Sequence, residues 1–246
     1  MHIYDTPKHI SAFSTTRDGS VETSIPRLFM PLHQVHGTVT KLIDEEFLRL
    51  NPLQQALALD GVDALATNVG NICVCVRTAD CIPVLMWDDQ TNVVSAVHAG
   101  WKGTVKRIVE SNIDLLSASF GTKAENIHAI IGPGIGWDSF EVGDEVYDIF
   151  TQAGFSMEQL AKRYPLMNVH APKAETLAAD AEPKSEAATK WHINLRECNR
   201  LQLINKGVNP NNIHVAGIDT YQQYDRFCSA RRKCDGRIIN GIMMKA

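Results

Sequence analysis

The sequence predicts a mixed α/β fold in one domain, and three observations carry that expectation. Strand-like and helix-like segments alternate from about residue 60 onward. Three apolar runs, at 71–77, 82–87 and 93–99, read as buried strands. No internal repeat or linker divides the 246 residues, which suffice to bury a core without disulfides or metals as staples.

The elements follow in order. Asn71-Ile-Cys-Val-Cys-Val-Arg and Ile82-Pro-Val-Leu-Met-Trp form two strands, and Val93-Val-Ser-Ala-Val-His-Ala a third that ends at His98. Gly100-Trp-Lys-Gly leads into a helix over 104–119, with apolar residues at 105, 108, 109, 113, 115 and 116 and a stop at Gly121. A strand at 127–131 runs into Gly132-Pro-Gly-Ile-Gly, too rich in glycine to continue either element. A helix is expected at 144–150. Asn194 caps another through Lys206, closed by Gly207. Residues 213–218 and 237–244 read as further strands. Residues 170–190, rich in Ala, Glu, Lys and Pro, read as an exposed or poorly ordered excursion within the domain, because periodic segments resume after Trp191.

Composition narrows the function classes. A net charge of −4 argues against a protein that binds nucleic acid by neutralising phosphates. The short basic cluster of Arg226, Arg231, Arg232, Lys233 and Arg237 reads as solvated surface. The first residues lack the basic and apolar regions of a secretory signal, and no apolar run nears the roughly 20 residues of a membrane span. The cysteines at 73, 75, 81, 198, 228 and 234 lack the paired spacing of a disulfide framework or zinc ribbon; Cys73 and Cys75 read as small core residues. These features describe a reduced, cytoplasmic, soluble enzyme, with no membrane, nucleic-acid or obligate protein partner.

Chemistry-bearing residues collect at element ends. His33 and His36 lie in Pro31-Leu-His-Gln-Val-His-Gly, Cys81 between two strand-like segments, and His98 at a strand-to-helix junction. One strand out and one back separates Cys81 from His98, so both can emerge at the same sheet edge. Two imidazoles and a thiolate suit a borderline-soft divalent ion, and three protein ligands leave a coordination position open, as in catalytic zinc sites. Spacing alone leaves two other readings open: a buried Cys81 among ordinary histidines, and a metal-free cysteine–histidine nucleophilic pair. Arg17, in the turn Thr15-Thr-Arg-Asp-Gly, can clamp a phosphate or carboxylate. The glycines before the 104–119 helix can turn backbone N–H groups toward an anion, without Walker A spacing. Trp101 offers a face for a planar base.

Together the motifs resemble the YfiH family, also called the laccase-domain family. They are Gln34-Val-His-Gly, Asp60-Gly-Val-Asp-Ala-Leu, Thr78-Ala-Asp-Cys-Ile-Pro-Val, Ala96-Val-His-Ala-Gly-Trp-Lys-Gly-Thr, Ile131-Gly-Pro-Gly-Ile-Gly, Phe140-Glu-Val-Gly, Asn199-Arg-Leu-Gln-Leu and Phe227-Cys-Ser-Ala-Arg-Arg, in family order from about Phe13 to Ile242. The resemblance implies a four-layer α/β/β/α fold with mixed sheets and metal ligands at His36, Cys81 and His98. It also maps the family's early arginine onto Arg17. The chain departs from the family pattern in the turn after Arg17, at Cys228 where an aromatic is usual, at Cys234, and in the excursion at 170–190.

The resemblance further implies a zinc-dependent purine nucleoside enzyme. Its reactions would be phosphorolysis of adenosine, inosine and methylthioadenosine, and deamination of adenosine. Arg17, with Arg232, would hold phosphate; Trp101 and His33 would contact substrate; and Asp80, beside Cys81, is the candidate general acid, since the His-x-Glu of zinc deaminases is absent. Other implied activities are a copper-dependent polyphenol oxidase, for which nine scattered histidines are few, and a hydrolase of a misincorporated peptidoglycan precursor. A metal-binding interaction protein is the non-enzymatic alternative.

Overall fold

The computed structural model describes residues 1–17, 25, 27–165 and 189–245. Its strands are β1 (His2–Ile3), β2 (Ile10–Ser14), β3 (Leu28–Phe29), β4 (Thr40–Leu42), β5 (Ala64–Thr67), β6 (Cys73–Thr78), β7 (Ile82–Asp88), β8 (Val93–Ala99), β9 (His128–Ile131), β10 (Glu141–Val142), β11 (Ala161–Pro165), β12 (Thr189–Ile193), β13 (Ile213–Val215) and β14 (Ile238–Met244). The helices are α1 (Glu45–Arg49), α2 (Pro52–Ala58), α3 (Trp101–Val105), α4 (Ile108–Phe120), α5 (Asp144–Gln152), α6 (Met157–Leu160) and α7 (Leu195–Asn205).

Two mixed sheets dominate. One has the order β1-β2-β14-β6-β3 and the other β13-β9-β7-β8-β5-β4, while β10-β12-β11 forms a small antiparallel third. The mixed α/β class with mixed sheets agrees with the expectation. Between the two large sheets, Val74, Val76 and Ile242 of one pack with Leu65, Leu85, Val94 and Ala96 of the other. The outer face of the six-stranded sheet packs Val84, Val97 and Ala129 against Ile108, Val109 and Ile113 of α4 and Leu195 and Leu203 of α7. Strands β7 and β8 are therefore buried on both faces at every position, which explains their nearly continuous apolar runs.

Caps close the helices as their sequences direct. Asn51 and Gln54 form a reciprocal capping box ahead of Pro52. The Asn194 side chain accepts from the Glu197 N–H, as expected of that cap.

Two expectations are corrected. The helix over 104–119 is two helices, because Arg107 sits at φ 64° between α3 and α4. A tertiary contact holds it there: its guanidinium donates to the Ala153 carbonyl and lies 3.8 Å from the Phe155 ring centroid. The strands flanking Cys81 belong to different sheets, so 79–81 is the crossover between them. Finally, Cys228 and Cys234 are joined by a disulfide, against the reading that the cysteines lack paired spacing. The 170–190 excursion falls almost wholly outside the described residues, as does most of the turn after Arg17.

Candidate metal centre

His36, Cys81 and His98 converge although they come from three places in the fold. His98 is the penultimate residue of β8, opposite Pro83 of β7, so Cys81 lies one step beyond the same end of the pair. His36 arrives on the loop between β3 and β4 in the left-handed region, φ 58°, where a non-glycine residue persists only if its surroundings hold it.

Those surroundings are specific. Gln34 forms a reciprocal pair with the Arg77 backbone, Nε2 to the carbonyl and N–H to Oε1, each at 2.8 Å. The Arg77 guanidinium donates back to the Pro31 and Leu32 carbonyls. The loop is thereby laced to β6. Its tip closes on Asp63, whose Oδ1 accepts from the His36 N–H at 2.9 Å and whose Oδ2 accepts from the Gly37 N–H at 2.6 Å.

Asp63 also accepts from His98 Nδ1 at 2.8 Å, and it is fully buried. One carboxylate thus fixes the loop carrying one histidine and the tautomer of the other. With Nδ1 occupied by Asp63, His98 turns Nε2 toward the cluster, the orientation a carboxylate partner gives a ligating histidine. Burial alone would raise the Asp63 carboxyl, but the hydrogen bonds from His98, Gly37 and His36 outweigh it and hold it below its usual range.

The ligand atoms fit a metal ion. One ligand atom from each residue lies within 4.8 Å of the others, and Cys81 Sγ is 3.7 Å from His36 Nε2. A tetrahedral zinc ion spaces such atoms by about 3.3–3.6 Å, so closure requires the widest separation to shrink by up to about 1.5 Å. Gly100 leaves the room: a Cβ there would lie 2.5 Å from His36 Cδ2 and 3.1 Å from Cys81 Sγ.

Electrostatics match. Burial pushes the Cys81 thiol up, yet His36 and His98 pull it down further, to about 7. Burial pushes His98 down, and Asp63 and Cys81 raise it to about 9. Burial drives the Cys198 thiol the other way, to about 12. In metal-free protein, iodoacetamide should therefore alkylate Cys81 first. Its rate should rise with pH to half-maximum near 7, where an ordinary thiol needs about 8.5; a midpoint near 8.5 would show that the histidines do not activate it.

Cys81 stands in the wall between two cavities. The larger, about 560 Å³, is lined by His33, Gln34, His36, Arg77, His98 and Arg237 among others. The smaller, about 220 Å³, is mostly apolar, with Trp101, Ile135, Phe140, Leu195 and Arg231 in its wall. Ala79, Cys81 and Ala230 border both.

The other expected site residues divide. Trp101 and His33 face these cavities; His33 is 74% exposed at its side chain and contacts Asp60. Arg17 and Arg232 line neither. Arg17 donates to the Tyr224 carbonyl, and Arg232 stacks on Tyr221 and Tyr224. Asp80, at φ 80°, turns its carboxylate to accept from the Thr220 hydroxyl, the Ser229 hydroxyl and the Arg231 N–H. So held, it fastens the 219–232 loop, and it also lines the smaller cavity.

Reasoning from spacing misses Asp63, Arg231 and Arg237. A signal for Asp63 exists: a carboxylate between Val62 and Ala64-Leu65 at a strand start is buried, and a buried charge needs partners. The two arginines look like surface in a basic run, and only the chain's return brings them to the cavities.

Comparison with known proteins places the chain. The family described as multi-copper polyphenol oxidoreductase laccase matches residues 1–245. The chain belongs to this family. Among laccase-domain relatives, a purine nucleoside phosphorylase of Bacteroides thetaiotaomicron is 38% identical over 224 residues, covering 90% of this chain and 75% of the relative. An adenosine deaminase, RL5, from an unknown prokaryotic organism is 36% identical over 220 residues, covering 89% and 75%. The fold is shared with the crystal structure of YlmD from Geobacillus stearothermophilus, with a TM-score of 0.74 and 24% identity over 97% of this chain and 93% of that one. No helix among the described residues is long and apolar enough to cross a membrane.

Proposed function

We propose that this chain is, over its whole length, one catalytic unit: a zinc-dependent purine nucleoside enzyme that cleaves adenosine, inosine and methylthioadenosine by phosphorolysis and deaminates adenosine. The observation that carries the reading is the Cys81–His36–His98 cluster, oriented by a buried Asp63 and set in the wall between an apolar and a cationic cavity. The names of the relatives, purine nucleoside phosphorylase and adenosine deaminase, support the substrate class.

His36 Nε2, Cys81 Sγ and His98 Nε2 would hold the ion, which when bound supplies Lewis acidity toward an oxygen of substrate or water. The rest is done by the chain. Trp101, Ile135 and Phe140 shape an apolar slot for the base, and the indole can stack on it. Arg231, whose guanidinium donates to the Glu141 carbonyl, stands in the same wall within reach of polar atoms on the base edge. Arg77 and Arg237, rather than Arg17 and Arg232, line the cavity where phosphate would sit. Holding phosphate and nucleoside in contact supplies several kcal/mol of barrier reduction, roughly 7 or more for ideal alignment.

The test is product analysis on adenosine and inosine with zinc-loaded protein, with and without phosphate. Free base and ribose 1-phosphate that form only with phosphate are expected, together with inosine from adenosine without it. No base release and no deamination would end this reading. The likeness to multi-copper polyphenol oxidoreductase laccases favours a second one, copper-dependent phenol oxidation. Phenol turnover that scales with copper and survives removal of zinc would establish it. Hydrolysis of a peptidoglycan precursor in place of nucleoside cleavage would move the reading to the third.

A further inference from the structure

The loop that fastens Asp80 carries a second reactive pair. Cys228 and Cys234 are bridged, with Cα atoms 5.5 Å apart and a sequence separation of 6. Inside that small ring lie residues that build the site. Ser229 Oγ and the Arg231 N–H both donate to Asp80, the residue before Cys81. Ala230 borders both cavities, and Arg231 lines the smaller. Just beyond the ring, Gly236 packs so closely that a Cβ would lie 2.8 Å from Cys228 Sγ, and Arg237 lines the larger cavity.

We propose that Cys228 and Cys234 form a reversible thiol–disulfide site, addressed by small anionic disulfides of the glutathione class, and that its state sets how firmly residues 229–237 are held against Asp80 and the two cavities. Cys228 is buried, 3% exposed, while Cys234 is only partly covered, so Cys234 meets the reagent and Cys228 resolves. Arg231, Arg232, Lys233 and Arg237 crowd the same loop. Their positive charge, opposed on this loop only by Asp235, attracts an anionic partner. The basic run that looks like plain surface in the sequence thereby acquires a role.

The exchange balances. The Cys234 thiolate attacks one sulfur of the small disulfide; that S–S bond breaks and one small thiolate leaves. The Cys228 thiolate then attacks the mixed disulfide at Cys234 and expels the second. Two protein thiols give up two protons and two electrons, and one small disulfide becomes two thiols. The other cysteines are poorly placed for this chemistry. Cys73, Cys75 and Cys198 are buried, with Cys75 and Cys198 shifted toward the neutral thiol, and Cys81 belongs to the metal centre.

The test equilibrates the full chain across a series of glutathione redox ratios, then traps free thiols by alkylation for mass mapping. Cys228 and Cys234 should lose alkylation together as the ratio becomes oxidising. On reduction, hydrogen exchange at the Arg231 amide, which is bonded to Asp80, should quicken on the order of tenfold. KM for inosine should rise several-fold with a smaller change in kcat. Cys234→Ser should show the exchange and KM of the reduced wild type at every ratio; if that variant does not fold, the reduced wild type alone supplies both measurements. Two cysteines alkylated at every ratio, or a bridge that forms with no change in exchange or KM, would overturn the proposal. The turnover arm rests on the nucleoside reading. Absence of turnover in both states counts against that reading, and the thiol and exchange arms still decide this one.

Discussion

Asp63→Asn is expected to weaken zinc binding ten- to a hundredfold, the usual cost of losing an outer partner of a ligating histidine. The substitution keeps shape and removes charge. Asp63 accepts on both oxygens, from the His36, Gly37 and Val35 N–H groups and from His98 Nδ1. An amide has only one acceptor oxygen, so its NH2 must face at least one of these donors in a site without exposure to water. His98 can relieve the conflict by turning Nδ1 into an acceptor, which places the proton on Nε2 and blocks it as a ligand. The metal-free variant should also lose stability, by about 1–3 kcal/mol for donors left unpaired and more for the lost charge. Competition with a chromophoric chelator gives the affinity, and urea unfolding of the metal-free forms gives the stability. Unchanged zinc affinity in a destabilised variant would show that Asp63 is structural only.

Cys81→Ser should be more severe for the metal and milder for the fold. Serine nearly matches the volume, and Cys81 is only partly buried beside open cavities, so stability should stay within about 1 kcal/mol of wild type. A neutral hydroxyl is a much poorer ligand than a thiolate, and only two imidazoles remain. Zinc affinity should fall by more than about a hundredfold, beyond the range of outer-shell changes. The protein should purify without stoichiometric metal, and base release from inosine with phosphate should fall to background. Elemental analysis with the same product assay checks both. Full activity in the variant would remove Cys81 from the chemistry.

The placements legible in the sequence share a physical reason. His98 and Cys81 sit at the ends of strands whose apolar runs are visible as runs, so the one-strand return between them is a local fact. Asn194 likewise announces its helix through a cap only three residues deep. What stayed hidden depends on contacts far apart in the chain. Asp80 is engaged by donors 140 to 151 residues away, so its part in fastening the 219–232 loop shows only in space. The break at Arg107 answers to Ala153 and Phe155, 46 and 48 residues on, and periodicity cannot register it. Arg231 and Arg237 reach the cavities only because β14 returns to the middle of the five-stranded sheet beside β6. The small β10-β12-β11 sheet has strands too short and too mixed in character to show a pattern of two.

The central claim is that His36, Cys81 and His98 hold one metal ion through a thiolate, and cobalt substitution tests it most directly. Cobalt(II) occupies zinc sites, and a bound thiolate gives an intense sulfur-to-metal charge-transfer band that nitrogen and oxygen ligands do not. Titrating metal-free wild type should build that band to a plateau at one equivalent, with d–d absorption of tetrahedral strength. Cys81→Ser should show no charge-transfer band, and excess zinc should bleach the wild-type spectrum. A band that persists in Cys81→Ser, or wild type that binds one cobalt without showing it, would contradict the account.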